Sequence, residues 1–386
     1  MGATPAVAVT MVAGARTAVR PVDGELAGWN PVVLAGVVGR EVLDRAGLDA
    51  GVLDEVVVGC CDPVGAAGAD VARAIVLAAG WPVSVGGSVI DRGETSGAAA
   101  VQAAVAAIRA GQARTVLVVG LGLCSVVPPG AAALNRTYGA PWGGVAEQFE
   151  EVGGLLPAPR LSERAAQTAG IGRADLDAAA EESRRRRTEA DRSPAIVAVA
   201  ARPGDAAGRG VYRGDPVAAD VVRDRGDAAD LPPAFDDDGL LTAATFAPPA
   251  DCVTAVLLQA GSEARASSGA ATVAGMGRAA GDPFDPVGNV AAAVGRALGD
   301  AGVELAAVDA ISVVEHDAAT AMLVARSLDI DAERINRDGG AVATGNAGAA
   351  EELRLITDGL AVPAGPLLTI SAGPTGSAAI VWQTDI

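Results

Sequence analysis

The sequence predicts an α/β protein made of two copies of one unit, and an internal repeat is the first observation that supports this fold class. Residues 38–59 (VGREVLDRAGLDAGVLDEVVVG) and residues 294–315 (VGRALGDAGVELAAVDAISVVE) share a helical stretch, an Ala-Gly stop, a link with Asp and an apolar strand, in that order. The second observation is a short apolar run ending in glycine in each half, RTVLVVGLG at 114–122 and GPLLTISAG at 365–373. Such runs are typical of strands that are buried on both faces.

A helix is predicted before each of these later strands. In the first half, Ile90–Gly93 leads into the Ala-rich stretch 95–111 (TSGAAAVQAAVAAIRAG). In the second half, Ile335–Gly339 and a Gly/Ala-rich loop lead into 349–360 (AAEELRLITDGL). The same succession of strand and helix in both halves indicates a duplicated α/β unit.

The residues between the two halves have a different composition. They contain Pro and Gly clusters, the charged helical stretch 173–190 (RADLDAAAEESRRRRTEA) and the acidic loop 234–240 (AFDDDGL). We interpret this region as an inserted lobe. The predicted divisions are an N-terminal half at 1–119 and 251–267, the inserted lobe at 120–250, and a C-terminal half at 268–386.

The arginine run Arg184–Arg187 allows two interpretations. It follows acidic residues on a predicted helix, which is typical of a solvated, ion-paired face. The alternative is a contact with a phosphate-bearing ligand. We favour the ion-paired face.

Composition and charge argue against several function classes. The net charge of −18 and the sequence pI near 4.5 oppose binding to nucleic-acid phosphates and to anionic membrane surfaces. No apolar run approaches the roughly 18 residues that a membrane helix needs. The N-terminal residues are expected to form a strand and a loop rather than a cleaved leader, so the cytoplasm is the expected compartment.

The cysteines do not predict a metal site. Cys60, Cys61, Cys124 and Cys252 show no C-x-x-C spacing, and His316 is the only histidine. We expect the four thiols to be small buried side chains without a chemical role.

Four segments resemble the thiolase family, and the similarity extends through nearly the whole chain. Residues 89–104 (VIDRGETSGAAAVQAA) resemble the stretch that carries the family's nucleophilic cysteine, and residues 231–258 (LPPAFDDDGLLTAATFAPPADCVTAVLL) resemble its Pro-Phe-Asp-Gly-Thr-Ala segment. Residues 313–325 (VVEHDAATAMLVA) resemble the N-E-x-F or H-D-x-F segment, and residues 335–348 (INRDGGAVATGNAG) resemble N-x-x-G-G-x-x-x-G-H-P. The resemblance implies two βαβαβαββ halves in a layered α-β-α-β-α arrangement with an inserted loop lobe.

The positions that carry the family's chemistry hold other side chains in this sequence. The resemblance puts Glu94 in place of the acyl-accepting cysteine and Asn346 in place of the G-H-P histidine. The C-x-G motif that carries the second cysteine appears as the SAG at 371–373, with Ile370 or Ser371 in the cysteine's place depending on a one-residue choice of alignment. An ordinary acyl-cysteine mechanism is therefore not expected.

The resemblance also indicates where a substrate would lie. The family's Ser-Gly pair that contacts the pantetheine arm of coenzyme A corresponds to Ala247-Pro248. Candidate substrate-binding residues are therefore Ala247, Ser371 and Gly373.

Glu94, His316 and Asn346 are the candidate catalytic residues. Glu94 is predicted at the start of a helix, where exposed N–H groups and the helix dipole favour a carboxylate that can act as a general base. His316, followed by Asp317, lies where thiolases hold the carbonyl oxygen of the substrate. We expect His316 and Asn346 to donate hydrogen bonds to that carbonyl.

Two functions remain open from the sequence. The first is an enzyme of acyl or polyketide (secondary) metabolism that acts on an acyl thioester of coenzyme A or of a carrier protein, without a cofactor. Acyl transfer, condensation and retro-aldol cleavage all need a polarised carbonyl and a positioned base. The second is an inactive scaffold subunit in which Glu94 only caps a helix and the chain pairs with an active acyltransferase or an acyl-binding partner.

In both cases the expected assembly is a homodimer or a heteromeric thiolase-type complex. The apolar strand around Val89 and Ile90 is the predicted contact, because this strand pairs across a two-fold axis in the fold that the sequence resembles.

Overall fold

A computed structural model gives the fold of residues 7–134, 139, 143–152, 156–190, 193–199, 228–261, 270–361 and 365–384. Parts of the predicted divisions lie outside these described residues, namely 1–6, 135–138, 140–142, 153–155, 191–192, 200–227, 262–269, 362–364 and 385–386. None of the described helices is long and apolar enough to cross a membrane.

The described residues form ten strands and ten α-helices. The N-terminal half contains β1 Val9–Arg16, β2 Arg20–Pro21, α1 Pro31–Ala46, β3 Glu55–Cys60, α2 Val71–Ala78, β4 Gly86–Ile90, α3 Ser96–Arg109, β5 Thr115–Leu123 and β6 Ala250–Ala260. The inserted region contains α4 Ala131–Leu134, α5 Ala158–Thr168 and α6 Arg173–Glu189. The C-terminal half contains β7 Ala271–Ala279, α7 Val290–Ala301, β8 Ala310–Val313, α8 Ala318–Ser327, α9 Ala341–Thr344, α10 Ala349–Gly359, β9 Leu367–Gly373 and β10 Gly376–Thr384.

The helices and strands predicted from the internal repeat are confirmed. Helix α1 begins before residue 38, where the repeated sequence begins. Helix α1 starts at Pro31 because the side chain of Asn30 accepts a hydrogen bond from the Val32 N–H, and proline fits the first helical position. It ends at Gly47, which takes the left-handed conformation with φ of 65°. Asn30 and Gly47 therefore set the bounds of α1.

The strands follow the order β4-β3-β5-β6-β1-β7-β10-β9-β8. In the N-terminal half β4, β3 and β5 are parallel, and β6 and β1 are antiparallel to their neighbours. In the C-terminal half β7, β10 and β9 are antiparallel, and β8 is parallel to β9. The halves join where Thr10 and Met11 of β1 pair with Thr272 and Ala271 of β7.

Three hydrophobic cores show the α-β-α-β-α layers. One packs α1 and α2 on the outer face of the N-terminal strands, and a second packs α7 and α8 on the outer face of the C-terminal strands. The third core lies between the strands of the two halves and contains residues of α3 and α10, with Trp382 fully buried beside them. Helices α3 and α10 therefore form the central layer.

The two central helices begin close to the strands of the N-terminal half. A Cβ on Gly59 of β3 would lie 2.7 Å from the Ser96 carbonyl oxygen, and a Cβ on Gly120 of β5 would lie 2.5 Å from the Ala349 carbonyl oxygen. Only glycine permits this approach of helix to strand. It brings the starts of α3 and α10 to the ends of β3 and β5.

The two copies differ at one sheet edge. Ile90 ends the five-residue strand β4, whereas Ile335 makes only an isolated bridge to Ile311. Strand β8 is therefore the last strand at that end of the sheet, and the two halves do not present the same edge.

The arginine run Arg184–Arg187 lies on α6, and its side chains bond other groups of the protein. Arg185 pairs with Glu182 at 2.7 Å and with Glu189 at 2.6 Å. Arg184 is buried and donates to the Ala244 carbonyl oxygen, and Arg186 donates to the Ile335 carbonyl oxygen at 2.9 Å. Arg185 therefore fits the predicted solvated, ion-paired face, whereas Arg184 and Arg187 are buried and the prediction is wrong for them.

Candidate active site

Glu94 lies in a tight turn between β4 and α3. Gly93 has a φ of +53°, and its N–H donates to Asp91 Oδ1 at 3.0 Å. The Ser96 hydroxyl donates to the Gly93 carbonyl oxygen at 2.7 Å and accepts from the Arg92 N–H at 2.8 Å. The turn therefore fixes the backbone from which the half-buried Glu94 side chain projects.

The Glu94 carboxylate is held by the β9–β10 hairpin of the other half. Thr375 Oγ1 lies 3.1 Å from Glu94 Oε2 and 3.0 Å from the carbonyl oxygen of Arg92. A Cβ on Gly373 would lie 2.9 Å from the Glu94 carboxyl carbon. Because Gly373 has no side chain, there is space for the Glu94 carboxylate at this position.

A cavity of about 640 Å³ opens at Glu94 and is lined by residues of both halves and of the inserted region. His316, Asn346 and Ala247 line it together with Glu94, as the sequence predicted for a shared site. The apolar lining comes from Pro31, Leu121, Leu123, Val127, Pro157, Ala158, Pro159, Phe246, Pro249 and Val314. Its size and apolar walls suit a small organic ligand.

Ser371 does not line this cavity. Successive side chains of β9 point to opposite faces, so Ile370 packs in the outer core while Ser371 faces the central helices. The Ser371 hydroxyl is fully buried on the side of the Glu352 carboxyl group, and no described group lies within hydrogen-bonding distance of it. Neither alignment of the C-x-G motif therefore supplies a side chain next to Glu94, and Thr375 takes that place.

His316 follows β8 and precedes α8. Its Nε2 lies 3.2 Å from the Ala372 carbonyl oxygen, and a carbonyl only accepts, so Nε2 carries the proton of this hydrogen bond. No described protein atom bonds Nδ1. The Nε2–H donor of His316 is therefore engaged with the backbone of β9.

Asp317 has a structural role. Its Oδ1 caps α8 by accepting from the Ala319 N–H at 2.9 Å and the Thr320 N–H at 3.1 Å, and its Oδ2 accepts from the Ser162 hydroxyl. Burial raises the pKa of Asp317 to about 6, and the Ser162 hydroxyl and His316 oppose that rise. These bonds fix the backbone beside His316 and join α5 to the site.

The Asn346 amide is engaged with the backbone at both ends. Its Nδ2 donates to the Glu315 carbonyl oxygen at 2.8 Å, and its Oδ1 accepts from the Gly348 N–H at 2.8 Å. The structure thus brings Glu94, His316 and Asn346 to one cavity, but it directs one N–H donor of His316 and one of Asn346 to main-chain oxygens.

Cys61 is a cavity residue that sequence reasoning missed. Its thiol donates to the Gly93 carbonyl oxygen at 3.2 Å, and burial and then the Glu94 charge raise its pKa strongly. Burial also raises the pKa of Cys60 to about 11 and of Cys124 to about 12, and both line the same cavity. These groups are thiols near neutral pH, and they lack the positive surroundings that activate a cysteine.

Within the described ranges, no group of three or more His, Cys, Asp or Glu side chains is placed to hold a metal ion. All four cysteines are free.

Comparisons with known proteins agree with this fold. The family model for the N-terminal domain of thiolase matches residues 9–262, and that for the C-terminal domain matches residues 268–360. An acetyl-CoA acetyltransferase of Pseudomonas aeruginosa is 32% identical over 357 residues, which cover 88% of each chain. A 3-ketoacyl-CoA thiolase of Bacillus subtilis is 29% identical over 355 residues, 87% of this chain and 88% of that protein.

Two solved structures share the fold. An acetyl-CoA acetyltransferase from Syntrophomonas wolfei superposes with a TM-score of 0.84 at 24% identity, over 98% of this chain and 100% of that one. The human mitochondrial 3-ketoacyl-CoA thiolase superposes with a TM-score of 0.82 at 22% identity, over 98% of this chain and 99% of that one.

Proposed function

This chain belongs to the thiolase family, and we propose that it acts on an acyl thioester by a mechanism in which Glu94 is the general base and no acyl-cysteine forms. The similar proteins from Pseudomonas aeruginosa and Bacillus subtilis are named as an acetyl-CoA acetyltransferase and a 3-ketoacyl-CoA thiolase. An acyl thioester of coenzyme A or of a carrier protein is the corresponding substrate here.

One observation carries the proposal: the Glu94 carboxylate lies in a largely apolar cavity of about 640 Å³ and is oriented by Thr375. The cysteines that line this cavity are thiols and are poor acyl acceptors. A positioned carboxylate is a competent base for a proton next to a carbonyl or on an attacking alcohol or amine. Acyl transfer, condensation and retro-aldol cleavage all begin with such a step.

The test is turnover of acyl thioesters by the purified chain and by Glu94→Gln and Glu94→Ala. With acetyl-CoA and a 3-ketoacyl-CoA as probes, release of free coenzyme A is expected to fall about 10²- to 10⁴-fold in both variants. Glu304→Gln is the matched control, because Glu304 is exposed and its side chain makes no cap bond. Turnover that survives Glu94→Ala would overturn the role of Glu94.

Glu94→Cys tests whether the cavity binds an acyl thioester. A cysteine at the start of α3 would lie at the positive end of the helix, where a thiolate is stabilised. Acylation of this variant by an acyl thioester, read by mass spectrometry, would show that the cavity admits the substrate. Absence of labelling, with folding intact, would count against a thioester substrate.

A scaffold subunit is the second candidate, and one observation favours it: the Nε2–H of His316 and one amide N–H of Asn346 bond main-chain oxygens. A site with few donors for a developing oxyanion is poor at ordinary thiolase chemistry. The scaffold proposal predicts that turnover needs a partner protein and is unaffected by Glu94→Ala. Turnover by the chain alone, abolished by Glu94→Ala, excludes it.

A further inference from the structure

Glu315 is a buried carboxyl group that lies between the end of β8 and His316. The residue is only 4% exposed. Its Oε1 accepts from Asn336 Nδ2 at 2.7 Å, and its Oε2 accepts from the Val342 N–H at 3.1 Å. Each oxygen therefore has one N–H donor, and neither donor is a cation. The described residues give this carboxyl group no other hydrogen bond.

The main chain of Glu315 holds the two candidate catalytic residues nearest to it. Its carbonyl oxygen accepts from Asn346 Nδ2 at 2.8 Å, and the next residue in the chain is His316. The donors to its side chain lie on the segment 336–342, which continues through α9 towards Asn346. Glu315 thus connects the end of β8 to the segment of α9. These are the two places from which His316 and Asn346 enter the cavity.

Gly340 provides the space for the Glu315 carboxyl group. A Cβ on Gly340 would overlap the carboxyl oxygens. The φ of Gly340 is −104°, which other residues adopt without strain, so glycine is required here for space and not for its backbone conformation. The segment 336–342 is therefore shaped around a carboxyl group at position 315.

From these contacts we infer that Glu315 is a positioning residue, whose ionised carboxylate sets the places of His316 and Asn346 in the cavity. The inference rests on the proposed function for the reaction that this placement serves. An ionised carboxylate has only acceptors, and two N–H donors require two acceptors. A neutral amide in its place turns an N–H towards one of the two donors and loses that bond, which leaves a buried donor unpaired.

The surroundings of Glu315 fix the pH at which the test is made. Burial raises the pKa of Glu315 to about 7, and the Val342 N–H and the Asn336 amide oppose that rise. Two charged groups of α10 also act on it: Glu351 raises the pKa, and Arg354 lowers it. At about pH 8.5 the carboxylate form predominates.

Glu315→Gln keeps the size of the side chain and removes its charge. At about pH 8.5 kcat is expected to fall about 10- to 100-fold, because a small displacement of His316 and Asn346 misaligns the substrate carbonyl. A smaller change in KM is expected, because the apolar walls of the cavity remain. Glu163→Gln is the matched control. Glu163 is also 4% exposed, but its Oε1 alone accepts from the N–H groups of 240 and 241, and an amide oxygen can replace it.

Nuclear magnetic resonance gives a readout that a purely structural role would not move. His316 is the only histidine, so its imidazole signals need no further assignment. In the parent the ring nitrogen signals are expected to show a protonated Nε2, which the bond to the Ala372 carbonyl oxygen selects. Glu315→Gln is expected to weaken this bond and to move the two nitrogen signals towards each other. Glu163→Gln is expected to leave them at the parent positions.

The two measurements support or overturn the inference together. A fall in kcat with moved His316 signals, in Glu315→Gln and not in Glu163→Gln, supports it. A folded Glu315→Gln that keeps the kcat or the His316 signals of the parent overturns it, even when urea unfolding shows a loss of stability. If Glu315→Gln does not fold, Gly340→Ala displaces the same carboxylate without removing its charge. Unmoved His316 signals in Gly340→Ala then overturn the inference.

Failure of the inference is distinguishable from failure of the proposed function. Unmoved His316 signals in Glu315→Gln, with turnover that Glu94→Ala abolishes, overturn the inference and leave the proposed function intact. Moved His316 signals, with no turnover of acetyl-CoA or a 3-ketoacyl-CoA by the parent, support the positioning by Glu315 and count against the proposed function.

Discussion

The Thr375 hydroxyl connects Glu94 to the backbone of its own turn: Oγ1 lies 3.1 Å from Glu94 Oε2 and 3.0 Å from the Arg92 carbonyl oxygen. Thr375 belongs to the hairpin between β9 and β10, whereas Glu94 precedes α3. The proposed base of one half is therefore oriented by the other half.

Thr375→Val is expected to lower kcat by up to about tenfold with a smaller change in KM, because the single hydroxyl proton of Thr375 is shared between the Arg92 carbonyl oxygen and Glu94, and a full hydrogen bond to a carboxylate corresponds to about 1.5 kcal/mol. Valine has nearly the shape of threonine, so the apolar contacts with Gly93 remain. Thr375→Ser keeps the hydroxyl and is expected to keep most of kcat. Steady-state kinetics of the two variants make the comparison, and a serine variant as slow as the valine variant would contradict the role of the hydroxyl.

Gly93→Ala is expected to destabilise the chain more than an ordinary glycine substitution. Gly93 has a φ of +53°, and a Cβ there would lie 2.6 Å from Thr375 Cγ2. Gly111→Ala is the matched control, because Gly111 has a φ of +73° and open space around it. The control is expected to lose about 1 kcal/mol of unfolding free energy from backbone strain, and Gly93→Ala about 1–3 kcal/mol more from the overlap. Urea unfolding measures the loss of unfolding free energy in both variants. Equal losses would show that the Thr375 side chain moves away from the added methyl group without a cost in free energy.

The repeat and the resemblance were sufficient to predict the fold and the meeting of Glu94, His316 and Asn346 at one cavity. Hydrophobic periodicity is a local property, so it predicts strands and helices such as β5 and α10 from short windows. The positions of the three residues follow from motifs that end strands or begin helices. This part of the site was accessible without coordinates.

The hydrogen-bond partners of the site were not accessible in this way. Thr375 is far from Glu94 in sequence, and only the packing of the two halves brings them together. A one-residue shift in the alignment of the C-x-G motif on β9 decides whether Ile370 or Ser371 takes the cysteine position, and these two side chains point to opposite faces of the sheet. No sequence signal decides between the two alignments. The direction of the His316 and Asn346 donors depends on the neighbouring carbonyl oxygens, which a motif does not describe.

Glu352 is expected to make stability fall as pH rises. It lies on α10, is almost fully buried against α3, accepts from the Ala98 N–H at 2.5 Å, and has a pKa raised by burial from 4.5 to about 8. The folded state thus favours the neutral acid. Its contribution is fully present below pH 4.5 and is lost as pH rises through 8, with a slope of up to about 1.4 kcal/mol per pH unit in between.

Glu352→Gln is expected to remove that slope, because an amide keeps an acceptor for Ala98 and does not titrate. Urea unfolding across the range from pH 5 to pH 9 measures the difference between variant and parent. Burial also raises the pKa of Glu315 to about 7 and of Asp317 to about 6, and both remain in the variant, so the difference isolates Glu352. Glu304→Gln, at an exposed site, is expected to leave the slope unchanged. Parallel curves for Glu352→Gln and the parent would contradict a buried neutral acid.

Light scattering is expected to give about twice the chain mass of 37.9 kDa, because β4 is an apolar edge strand. Among the described residues β4 pairs only with β3, and its Val89 and Ile90 are half-buried and pack on opposite faces of the sheet. An edge of this kind offers unpaired backbone groups to a second copy. Hydrogen exchange locates the interface. The backbone amides of 86–90 are expected to exchange faster on dilution. Those of the other edge strand, 310–313, are the internal control and are expected not to change. A single-chain mass at every concentration would refute the pairing, and concentration-dependent exchange at 310–313 alone would move the interface to β8.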